Sequence, residues 1–185
     1  MRAFKAFNKD MTCTMGNGSF QYKENTTYRE DKAQAHETGF HCAGYILDCF
    51  RYYPKNENTI ICPVEASGDV DEDGTDTKIS CTVMTIGRRL TRDEIVFEAV
   101  KYLAMHPKFR DINNVHEDKG KGDFFCIVRG RDPVAAGSRG AVLGLVKENS
   151  KHQVTAIAVY RVNGQIFKPG RYYNIKGEEV TDEES

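Results

Sequence analysis

The apolar residues change period between positions 76 and 107, and that change constrains the fold more than any other feature. "DTKISCTVMTIG" alternates, with Ile79, Cys81 and Val83 on one face, and predicts a half-buried strand. "TRDEIVFEAVKYLAMHP" then sets Ile95, Ala99, Val100 and Leu103 on a helical stripe. Thr91 and Glu94 have capping-box spacing at its start, and His106-Pro107 ends it.

The other segments are read against this pair. Arg2 to Phe7 predicts a first strand, residues 8–19 a polar connection, and "FQYKENTTYRE" two extended pieces around a turn at Glu24-Asn25. Ala43, Ile46, Leu47, Phe50 and Tyr53 have helical spacing before Pro54. "NTIICPVEASG" is a strand that Pro63 places at an edge or a bulge. Residues 107–123 are charged and poor in hydrophobes, which suits a loop or linker. Further on, "FFCIV", "AVLGLV" and "VTAIAVYRV" predict strands, and Asn163-Gly164 a two-residue hairpin into "QIFK". The expected fold is α+β. An N-terminal mixed sheet with two helices, about 42–53 and 92–105, would occupy residues 1–106. Residues 107–123 would link it to a C-terminal antiparallel β meander over 124–180, packed with the first part or separate from it.

Composition narrows the function classes. The chain has 185 residues, 39% of them hydrophobic, enough to bury a core. Its 26 basic and 27 acidic residues nearly cancel, so no global field favours nucleic acid or membrane. No apolar run approaches the roughly 18 to 20 residues of a membrane span. "MRAFKAFNKD" lacks the apolar stretch of a signal peptide, so a cytoplasmic protein with reduced thiols is expected. The six cysteines, at 13, 42, 49, 62, 81 and 126, sit mostly in apolar strings and read as small buried hydrophobes.

"ETGFHCAGYILDCFRYYP", residues 37–54, is the densest chemistry in the chain. Zinc would draw on Cys13, His41, Cys42, Cys49 and Cys62, but no C-x₂-C spacing is present. A Cys42 nucleophile would need His36, His106 or His116 as its base. Asp69, Asp71 and Asp73, followed by Gly74, open like a calcium loop. Ser80 holds the twelfth position in place of a glutamate, and a solvated acidic hairpin explains the run equally well. Gly137-Ser138-Arg139-Gly140 reads as a flexible turn. Tyr172 and Tyr173 are candidate anchors for a binding interface, and packing within the meander explains them as well.

Several linked stretches, "MRAFKAFNKDMTC", "VEASGDV", the 37–54 segment and "AVYRVNGQIFKPGRYYNIKGEEV", resemble a family of small uncharacterised proteins encoded mainly by phages and prophages. The resemblance implies phage origin and no established activity. The lack of an assembled catalytic set and the paired aromatics Tyr172 and Tyr173 at the end of the meander point to a non-enzymatic accessory protein that binds a host or phage macromolecule and self-associates. The resemblance implies no catalytic residue and no cofactor. Many members carry a central β-solenoid of tandem repeats, of which only residues 133–144 look like a stub. A fainter similarity concerns ADP-ribosyltransferases. There Lys5, the Gly39–Cys42 turn and Glu65 would hold NAD and steady its cleavage, with Lys5, His41 and Glu65 lining one pocket.

Overall fold

The computed structural model describes residues 1–14, 18–32, 38–72 and 77–181. The chain divides between Leu90 and Thr91 into two units. It is mostly β, 49% strand against 12% helical, which corrects the α+β expectation.

The first unit holds β1 (Arg2–Asn8), β2 (Thr12–Cys13), β3 (Phe20–Gln21), β4 (Thr26–Arg29), β5 (Phe40–Ala43), β6 (Thr59–Glu72) and β7 (Lys78–Ile86). The larger sheet runs β4-β7-β5-β1-β6, and β6 pairs again with β7. The path therefore returns on itself and gives a small barrel-like sheet. Ala3, Phe7, Phe40, Cys42, Cys62, Val64, Ile79 and Cys81 belong to one buried cluster within it. The alternation expected along β7 changes phase. Val83 is only half-buried, while Met84 and Ile86 join the core. The shift coincides with a β-bulge between Ser67 and Val70 of β6. Gly68 has φ +77° there, and a Cβ on it would lie 2.2 Å from Thr82 Oγ1.

The helix expected over 42–53 is not formed. Phe40–Ala43 is strand β5, and only Ile46–Arg51 coils, as a 3₁₀ turn. Residues 40–43 find ladder partners in β7, so their backbone groups are satisfied without a helix. The turn starts at Tyr45 with no side-chain cap and stays short.

The second unit begins with α1 (Arg92–Met105), where Thr91 and Glu94 form the reciprocal capping box. It continues with β8 (Val115–Gly122), β9 (Phe125–Gly137), β10 (Val142–Glu148), β11 (Val154–Arg161), β12 (Tyr172–Tyr173) and β13 (Glu179–Val180). Ile95, Val96, Ala99, Val100 and Leu103 of α1 are buried, and the helix packs on β9, β10 and β11. A Cβ on Gly144 of β10 would come within 2.9 Å of both Val96 and Val100, so glycine permits the close approach.

This unit is not an antiparallel meander. β8 and β9 pair in parallel, as do β9 and β10, while β10–β11 and β9–β12 are antiparallel. Val115 lies beside Ile127, Gly122 beside Gly137 and Phe125 beside Val142. Parallel partners so near in sequence leave no room for a helical crossover. The chain instead winds back on itself in short rungs, as a solenoid coil does. Asn163-Gly164 closes no hairpin ladder. Asn163 Oδ1 accepts the backbone N–H groups of Gln165, Ile166 and Phe167.

Arg129 of β9 and Glu148 of β10 form a buried ion pair. Arg129 also donates to the carbonyls of Phe109 (3.0 Å) and Pro107 (2.7 Å), tying down the segment after α1. Burial alone would raise the Glu148 carboxyl. Hydrogen bonds from His152 and Arg129, with the charge of Arg110, outweigh it and hold the carboxyl below its ordinary value. A carboxyl depressed by folding stabilises above its unfolded pKa, and that contribution is lost as pH falls through the folded value. Stability is therefore expected to drop as the medium is acidified below about pH 4.3, the ordinary glutamate value. Arg129→Met, which leaves the buried Glu148 carboxylate to Arg110 and His152 alone, should cost about 1.5–3 kcal/mol near neutrality. Urea denaturation of both proteins across pH checks this; an acid-insensitive midpoint would contradict it.

Candidate functional site

One pocket of about 670 Å³ lies in the first unit, within the roughly 300–1,000 Å³ of small-molecule sites. Its position follows from how β1 meets β5. The two strands pair at a single position, Phe4 with Ala43, whereas β1 pairs with β6 along its whole length. The barrel wall therefore has a seam between β1 and β5, and the pocket is lined from both of its sides. The 3₁₀ turn contributes Asp48 and Cys49, and Cys13, Phe20 and Tyr22 reach it from the antiparallel β2–β3 pair and the residue beside it.

Lys5 crosses the seam. Its residue is 7% exposed, and its ammonium donates to the His41 carbonyl at 2.7 Å. Nζ also lies 5.7 Å from the Phe7 ring centre and 5.3 Å from that of Tyr22. Among the described residues no carboxylate pairs with it. The magnitudes are informative. Removing an ammonium from water costs on the order of several kcal/mol. A hydrogen bond to a charged group contributes about 1.5–3 kcal/mol, and each cation–π contact about 0.5–2. The existing contacts offset much of the cost, and an anion beside Nζ would offset more.

The thiols around Lys5 are distinct from one another. Burial pushes Cys49 up to about 12. A hydrogen bond to Cys81, followed by burial, pushes Cys42 up; the same bond draws Cys81 down. Cys81 donates in turn to the Phe40 carbonyl at 3.6 Å. Cys13 is the one cysteine of the six that is not buried, and it accepts from the Tyr53 hydroxyl at 3.3 Å. Burial, then this bond to Cys13, raises Tyr53. The Tyr22 hydroxyl is raised chiefly by burial.

Of the residues singled out in the sequence, Lys5 and His41 meet at this pocket and Glu65 does not. Lys5 stands opposite Cys62 in the β1–β6 ladder. Glu65, an odd number of residues further along, falls on the other face. It is exposed and bonded to the Met1 amine at 2.9 Å. The carboxylate that an ADP-ribosyltransferase arrangement would require is therefore not beside Lys5. Asp69 and Asp71 lie on β6, with the Asp69 N–H bonded to Thr82 Oγ1; Asp73 lies outside the described residues, as does His36. His106 and His116 belong to the second unit. Among the described residues, no three His, Cys, Asp or Glu side chains are arranged to hold a metal ion. Tyr173 is buried, its ring 4.9 Å from that of Phe167 and its hydroxyl bonded to the Lys168 N–H. Half-buried Tyr172 carries Lys119 Nζ 4.6 Å above its ring.

Residues 1–98, the first unit and the start of α1, match the model of a family described as a domain of unknown function (DUF7666). No curated protein and no solved structure matches the chain significantly.

The geometry predicts selective thiol chemistry. Brief iodoacetamide treatment of the folded chain at mildly alkaline pH should add one label, at Cys13. Unfolding should open all six cysteines to it. Peptide mapping checks this; first labelling at Cys42 or Cys49 would contradict the pocket geometry.

Proposed function

The chain belongs to this family of domains of unknown function, DUF7666, and we propose that its first unit is a small-molecule binding module. The observation that carries the reading is the buried Lys5 ammonium at the pocket wall, held by one carbonyl and no carboxylate among the described residues. A pocket of ligand size with a few polar groups set among aromatic walls is the usual form of such a site.

The resemblance together with the paired aromatics Tyr172 and Tyr173 gives a broader expectation, an accessory protein of phage origin acting on a host or phage macromolecule. The pocket favours a small ligand as the thing bound, and binding as the activity. Its thiols Cys42 and Cys49 are held in the protonated form near neutral pH.

Ser19 is exposed and lines the pocket. Ser19→Trp should obstruct it without disturbing the buried cluster. Equilibrium dialysis against a cell-free extract of small molecules, read by mass spectrometry, tests the proposal. The unaltered chain should enrich one or a few compounds at least tenfold over Ser19→Trp. Equal uptake by the two, or none by either, would overturn it.

A further inference from the structure

We infer that the pocket takes a planar aromatic monocarboxylate, its carboxylate seated against Lys5 Nζ and its ring among the aromatic side chains that lead out of the pocket. This rests on the reading of the first unit as a small-molecule binding module and adds the chemical class of the ligand.

Charge sets the head group. Lys5 is the buried cation on the pocket wall. The Asp48 carboxylate, also on the wall, is already occupied by Arg51 Nε at 3.0 Å and the Thr77 hydroxyl at 2.6 Å. Exposed Glu30 lines the pocket as well. Half-buried Lys78 lines the pocket too, its Nζ 5.3 Å from the Tyr52 ring centre. Two ammoniums and two carboxylates thus share the wall, so Lys5, buried and without a carboxylate partner among the described residues, accommodates one negative charge, and a second would meet Asp48 and Glu30. The neighbouring thiols do not supply the anion. Cys42 and Cys49 are pushed up by their surroundings, and Cys81, which is drawn down, is not on the pocket wall and donates to Phe40.

Aromatic geometry sets the body. From Lys5 outward, the Tyr22 ring lies 5.3 Å from Nζ and the Phe20 ring 4.7 Å from that of Tyr22. Phe20 is 47% exposed and Tyr52 42% exposed, and both line the pocket. Two large aromatic side chains kept partly in water at a pocket edge offer faces and edges on which a planar ring can stack. The volume admits a bicyclic ring with its substituents.

Four probes that share one ring and differ in the head group test this: 2-naphthoate, 2-naphthamide, 2-naphthyl phosphate and 2-naphthylmethylammonium. Dissociation constants come from calorimetry, and slowed iodoacetamide labelling of Cys13 locates the binding. Naphthoate should bind at least tenfold more tightly than the amide and more tightly than the phosphate, and the ammonium should not bind. In Lys5→Met the preference for carboxylate over amide should disappear. Amide binding as tight as naphthoate, phosphate binding tighter than it, or no protection of Cys13 by any probe would each overturn the inference. The four dissociation constants on the unaltered chain decide it even if Lys5→Met does not fold. Failure here with pocket-dependent uptake in the dialysis experiment rejects only the ligand class; failure of both rejects the binding module.

Discussion

The bond from Lys5 Nζ to the His41 carbonyl is the contact on which the first unit's architecture turns. β1 and β5 share a single ladder position, so the small barrel would otherwise close there on little more than Phe4 and Ala43. A lysine side chain spans the seam where backbone hydrogen bonds are missing. That substitution has two effects. It completes the sheet around the cluster of Phe7, Phe40, Cys42 and Cys62. It also leaves a cation in a wall that regular strand pairing would have sealed. The closure of the seam and the buried cation on the pocket wall thus originate in one residue.

The second unit solves a different problem. Its parallel rungs lie close together in sequence, and such coils bury little by themselves. α1 covers β10 and β11, with Gly144 letting Val96 and Val100 approach the strand. The Arg129–Glu148 pair joins two adjacent rungs and holds the carbonyls of Pro107 and Phe109. Breaking one partner of such a pair is costly because the other remains buried and charged.

What could be read in the sequence follows from how local the determinants are. The capping box of α1 needs only Thr91 and Glu94, three residues apart, and stood out. The alternation of Ile79 and Cys81 also stood out, but its phase change beyond Thr82 depends on a bulge in the partner strand β6. Residues 42–53 misled because a four-residue strand followed by a 3₁₀ turn, with Ile46, Leu47 and Cys49 buried, imitates helical spacing. The rungs of β8, β9 and β10 were not legible. Their register is fixed by bends such as Asp118, at φ +55° beside the β8 bulge, and by pairing that no short window contains. The site was legible in part. Lys5 and His41 were singled out, and strand pairing brings both to one pocket. Cys13, Phe20 and Tyr22 come from the paired strands β2 and β3 and the residue beside them, and their place at the pocket is a tertiary contact with no motif of its own. Glu65 was misplaced because strand parity relative to Lys5 is known only once the β1–β6 register is known.

The most direct measurement is of the Lys5 ammonium itself. In ¹H–¹⁵N spectra of lysine side-chain ammonium groups near neutral pH, exposed lysines exchange their protons too fast to give sharp signals. The seam geometry predicts one slowly exchanging Nζ resonance, assigned to Lys5 by its absence in Lys5→Met and shifting when a carboxylate ligand binds. If no protected lysine resonance exists in the folded chain, Lys5 does not bridge β1 and β5, and the account of both the barrel and its pocket fails.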